Sequence, residues 1–305
     1  MPVSIRSTIR LFPIFHIIGA PARLFLSLLL VVALSGCSAV KLGYNNAPSL
    51  SYWWLDSYLD FDDAQSLKVR ADLGTLQDWH RANELPLYVA LLEKLQRMAP
   101  ASTTPEQVCN LAVELRGRVQ VVLDQAEPAV AALAPTFKAE QLEHLAKQYD
   151  KRNQKWRAEW LGESPGERIA RRIRQLVERT EMLYGRLEEP QLAALRASET
   201  VTAFDASLSY REAVRRQQDT LQTLRQLQNG APGDARTRTA VHAWFTRALN
   251  SPDAAYRNYL AKMTQESCKA FATLHNSATP AQRARLLETL KDYETDARTL
   301  ITAKP

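Results

Sequence analysis

From residue 48 onward apolar positions recur every three to four residues, the spacing that lines up one face of an α-helix. Leu50, Trp54 and Tyr58 follow it, as do Leu55 and Leu59, so the stretch opened by Pro48 predicts a helix with aromatics on a broad face. A second helix, capped by Asp62 or Asp63, runs to about Asn83 with Leu67, Val69, Leu73, Leu76 and Trp79 on its apolar side. Glu84 to Ala99 follows, with Pro86 in its first turn, where a missing N–H costs nothing. Further helices are predicted over 104–127, 136–161, 164–184, from 189 into the two-hundreds, and over 204–228, 234–249, 251–276 and 279–301. Pro128 restarts or kinks the first of these, and Asn229-Gly230-Ala231-Pro232-Gly233 is the clearest break. No stretch predicts a strand. The expected fold is all-α: a multi-helix bundle of antiparallel helical hairpins with no significant β-sheet, forming one domain over 48–305.

Composition narrows the class. Ten glycines in 305 residues disfavour Gly-rich phosphate loops, tight β-hairpins and barrel corners. The net charge is +6, and Arg6, Arg10 and Arg23 supply three of those charges from a segment without Asp or Glu. The remainder is only mildly basic, and no nucleic-acid partner is expected.

That segment carries its own pattern. Leu24 to Leu34 is an apolar run too short to cross a bilayer stably, and Arg23 precedes it. Leu34-Ser35-Gly36-Cys37 then resembles the Leu-small-Gly/Ala-Cys lipobox of bacterial lipoproteins at all four positions. The resemblance implies a signal peptide over 1–36 and lipidation of Cys37. Ser38 is not Asp, so the expected location is the outer membrane, facing the periplasm. Residues 37–47 read as a polar tether with a reach of at most about 35 Å. Cys109 and Cys268 remain; in an oxidising compartment they form a disulfide, or they are two small buried thiols.

Tyr44-Asn45-Asn46, Trp53-Trp54-Leu55-Asp56, Asp63-Ala64-Gln65 and Trp79-His80 are similar to a family of uncharacterised proteobacterial lipoproteins classed as a domain of unknown function. The resemblance implies a helical, lipid-anchored envelope protein and no assigned reaction. A second pattern is Pro-x-Gln at helix starts: Thr104–Gln107, Thr279–Gln282 and, more loosely, Glu189–Gln191, with Gln141 in a related context. It resembles the Leu-Thr-x-x-Gln motif of Spy-type periplasmic chaperones, which bind unfolded clients, although Ala278 stands where the leading Leu would. The same residues make a capping box in any helix.

Candidate chemistry is sparse. His80, His144, His242 and His275 fit no metal-ligand spacing, and no nucleophile elbow or phosphate loop occurs, so no metal, cofactor or catalytic residue is expected. Trp53, Trp54 and Tyr58 form either an aromatic surface for lipid, glycan or peptide or, by the preferred reading, a helix docked into the core by its indoles. Arg168, Arg171 and Arg172 lie on an amphipathic helix whose basic face meets anionic headgroups or is solvated beside Glu167, Glu178 and Glu181. The expected function is a lipid-anchored envelope protein with a binding, structural or chaperone-like role, its partners the membrane and an envelope protein or unfolded client. The alternative is a hydrolase using Asp56, Asp60 or His80 near the aromatic helix.

Overall fold

Nameable caps set where the helices begin. The computed structural model describes residues 39–228 and 230–303. Twelve α-helices lie among them: α1 (Ala39–Asn45), α2 (Ala47–Leu59), α3 (Asp63–Asn83), α4 (Leu85–Met98), α5 (Pro105–Leu133), α6 (Ala139–Trp156), α7 (Pro165–Tyr184), α8 (Glu189–Thr200), α9 (Ala206–Leu227), α10 (Ala235–Leu249), α11 (Ala254–Ser277) and α12 (Pro280–Thr302). A 3-10 turn over Ala134–Thr136 follows α5 and a π-turn over Arg157–Leu161 follows α6. No strand occurs among the described residues, and the protein is all-α. The signal segment and the tetrad Leu34, Ser35, Gly36 and Cys37 lie outside the described residues.

Residues 1–45 separate from Asn46–Pro305, which form one compact unit. Within the first, the stretch expected as a tether is helical over Ala39–Asn45, with Val40 and Leu42 exposed.

In the larger unit, α5 runs 29 residues straight through Pro128, about 43 Å of helix. One apolar cluster gathers around its C-terminal end: Ala131, Phe137, Leu142, Leu145, Leu224, Val241 and Phe245, from α5, α6, α9 and α10. A second joins Ala99, Tyr184, Leu187, Leu195, Leu274, Leu286 and Leu290, from α7, α8, α11, α12 and the end of α4. Helix α12 packs along α4, and α11 along α5. Cys109 on α5 and Cys268 on α11 are joined in a disulfide, Cα–Cα 5.5 Å. Gly233 takes φ 71° at the break before α10, and its N–H bonds to the carbonyl of Ala131 at 3.1 Å; a side chain there would be strained.

The Gln residues at the helix starts do more than cap. Gln65 accepts the Asp62 N–H at 3.1 Å and Gln141 the Lys138 N–H at 3.0 Å, closing the first turns of α3 and α6. Each amide also donates to the other's oxygen, at 3.3 and 2.7 Å. Gln141 donates further to the carbonyls of Leu59 and Asp60, and Gln65 to that of Thr136. Gln191 and Gln282 repeat the arrangement at the starts of α8 and α12, with reciprocal bonds of 2.8 and 2.9 Å. All four amides are buried. Gln107 caps α5 but is exposed. The apolar residue four positions before each paired Gln is Phe61, Phe137, Leu187 or Ala278. Phe61 and Phe137 stack at 6.2 Å beside the first pair, and Leu187 and Ala278 share the second cluster.

Candidate functional site

Helices α7, α8 and α11 diverge enough to leave an open groove of about 550 Å³. Its apolar surface comes from Leu176 on α7, Ala194 and Leu195 on α8, and Met263, Ala270 and Phe271 on α11. The α11 contribution follows helical spacing, so one face of that helix lines the groove. Phe271 remains 40% exposed although it borders the second core.

The groove's polar groups are mostly committed. Arg172 bonds Glu199 through both carboxylate oxygens, at 2.5 and 3.3 Å, with both side chains largely buried. The guanidinium also lies 4.2 Å from the ring centroid of Phe204. Phe204 packs edge-on against Trp160, which stacks on Trp156 across the π-turn. Glu266 accepts the Ala203 N–H at 2.8 Å, tying the chain after α8 to α11. Lys269 lines the groove, exposed. The arrangement suits a ligand with an apolar body and a polar or anionic end.

Behind the groove, the imidazole Nε2 of His275 donates to the Ala101 carbonyl at 2.8 Å, leaving Nδ1 to accept from the Tyr184 hydroxyl at 2.8 Å. Burial pushes the His275 pKa below its ordinary value and the Tyr184 phenol above its own. The neutral imidazole therefore links α7, α11 and the loop after α4.

The residues singled out in the sequence are distributed unevenly about this groove. Arg172 reaches it. Arg171 instead pairs with Glu163, and Arg168 bonds the Glu163 carbonyl. The basic face is therefore hydrogen-bonded to Glu163 and Glu199, while Glu167 also acts electrostatically on Arg171. Trp53 and Trp54 are 64% and 57% exposed, while Tyr52 is buried under the Arg70 guanidinium and Tyr58 packs on Tyr149. This corrects the preferred reading of α2: its tyrosines dock it, and its indoles face outward. Asp56 caps the turn after α2 by accepting the Phe61 N–H, and Asp60 takes φ 48° as the C-cap. His80 sits 17 residues along α3 from Asp63, roughly 25 Å by helical rise, so Asp56, Asp60 and His80 do not share one site.

Two arrangements join residues that are far apart in the sequence. Asp124, Glu127 and His242 bring one ligand atom each within 4.8 Å of one another, a His-carboxylate set able to hold a divalent cation. Glu199 and Met263 line the groove without any local motif. A stripe of Met263, Ser267, Ala270 and Leu274 was the available signal.

The fold and the groove define an all-α protein whose helix starts are locked in pairs by buried amides. The chain belongs to the family of unknown function DUF6279, whose model matches residues 57–242. No curated protein and no solved structure matches it.

Proposed function

We propose that this is a lipid-anchored cell-envelope protein, held at the outer membrane through Cys37, that acts by binding in a chaperone-like or structural role. The observation that carries the binding reading is the groove between α7, α8 and α11: about 550 Å³, lined by apolar side chains and edged by fixed charges. That size and character match sites for small apolar ligands or the side chains of a client segment. The Leu34–Cys37 tetrad supports the anchor. The Pro-x-Gln helix starts, Thr279–Gln282 above all with Thr104–Gln107 and more loosely Glu189–Gln191, support the chaperone-like part, because they resemble the Leu-Thr-x-x-Gln motif of Spy-type proteins.

The test uses an environment-sensitive apolar dye and a client aggregation assay with the purified protein. Dye emission should rise on binding, and Ala270→Trp, which fills the groove, should abolish it. A dye signal untouched by Ala270→Trp, together with no delay of client aggregation at equimolar ratio, would overturn the binding reading. Cys37→Ala should leave the protein out of the membrane fraction; unchanged fractionation would overturn the anchor.

A further inference from the structure

The geometry points to a second contact with the membrane: we infer that the outward face of α2 lies in the lipid–water interface of the bilayer to which Cys37 is attached. The inference rests on the lipid anchor proposed above and adds a surface that the anchor does not require.

Three observations support it. Leu50, Trp53 and Trp54, at i, i+3 and i+4, are 52%, 64% and 57% exposed and share one face of α2. Two adjacent outward indoles are an unusual exposure for a folded unit that buries Tyr52 on the same helix. Tryptophan suits a boundary where one part of the ring meets hydrocarbon and the N–H meets water. Second, the sequence from Leu42 to Leu55 contains no charged residue, so immersion of this face desolvates no ion. Third, covalent connectivity limits the alternatives. Nine residues lie between Cys37 and Ala47, and seven of them, Ala39–Asn45, are helical, rising about 10 Å. The chain therefore cannot carry the start of α2 far from acyl chains on Cys37.

The chemistry also fixes which lipid property matters. With no Lys or Arg on the face, the contact draws on apolar and interfacial burial rather than on anionic headgroups. It should form on zwitterionic phosphatidylcholine and resist salt.

The experiment uses the lipidated protein reconstituted in phosphatidylcholine vesicles containing phospholipid brominated near the headgroup end of the acyl chains. Trp53 and Trp54 are two of six tryptophans, so bromine should quench about a third of the emission if the six emit equally. Trp53→Phe/Trp54→Phe should remove that quenching with an unchanged far-UV spectrum, and 1 M salt should not. If the protein fails to co-float with vesicles, the anchor itself fails. If it co-floats and the wild type is quenched no more than the double variant, the α2 inference is overturned. A doubled particle mass with both indoles shielded from acrylamide and from bromine would overturn it in favour of a second copy of the chain.

Discussion

Replacing Gln141 by Leu tests whether the paired amides hold helix starts together or merely cap them. The side chain accepts the Lys138 N–H and donates to the carbonyls of Leu59 and Asp60 and to Gln65. Leucine keeps the volume and removes every one of these bonds. Gln65 retains the Thr136 carbonyl and hydroxyl, so the groups left unsatisfied are the Lys138 N–H and the two carbonyls. These three groups are only part-buried, so at about 1 kcal/mol each, the low end for an orphaned group, the expected loss is about 3 kcal/mol. Gln107 makes the same cap in an exposed position, so Gln107→Leu should cost under about 1 kcal/mol. Urea unfolding followed by far-UV circular dichroism reads the difference as a midpoint shift of roughly 1 M, for a slope of about 3 kcal/mol/M. Gln65→Leu/Gln141→Leu should cost less than the sum of its parts, because the second change removes a partner already lost. Gln141→Glu adds a sign test. A carboxylate facing two carbonyls has its pKa raised on folding. The unfolded chain ionises first, so its deficit relative to wild type grows as pH rises above about 4.3 and shrinks below it. Equal losses for Gln141→Leu and Gln107→Leu, or additive double-mutant costs, would refute the paired-amide argument.

Reducing the Cys109–Cys268 bond opens a loop with a sequence separation of 159; chain entropy sets its contribution at up to about 5 kcal/mol, and a melting temperature indifferent to reductant would contradict that. Arg172→Ala leaves Glu199 buried without its partner and should destabilise by about 3–5 kcal/mol, while Arg172→Met/Glu199→Leu recovers most of it; calorimetry of both variants decides. His275 has a folded pKa depressed by burial. Its stabilising effect is therefore complete above the unfolded value of about 6.5 and is lost as pH falls below it. His275→Gln should flatten the decline of stability as pH falls below about 6.5, and an identical slope in both proteins would exclude this role.

How much was legible depended on the range of the interaction. The helix starts at Asp62, Thr104, Ser164 and Thr279 follow from caps that act over three residues, and the observed helices begin there. Pro128 was ambiguous in the sequence; α5 continues through it, since packing around Ala131 favours the continued helix over the one bond lost. The Pro-x-Gln pattern marks Gln107, Gln191 and Gln282 as caps, and each does cap its helix. That Gln65 meets Gln141, and Gln191 meets Gln282, depends on which helix starts come together, and nothing local to either residue encodes the pairing.

The same division holds for the surfaces. Spacing alone placed Trp54 and Tyr58 on one broad face of α2, but a period of 3.6 states which residues share a face and not which face is covered. The packing of α2 on α3 and α6 turned Tyr52 and Tyr58 inward and Trp53 and Trp54 outward. The basic stripe of α7 was likewise visible, yet only the approach of α8 made Arg172 a buried partner of Glu199 and a wall of the groove. By itself the sequence determined the helical class, the caps and breaks, and the Leu34–Cys37 tetrad, because each is written within a few residues. The tertiary structure decided the amide pairs, the groove and the outward indoles, because burial is a property of what lies opposite, and the chain brings that from far away.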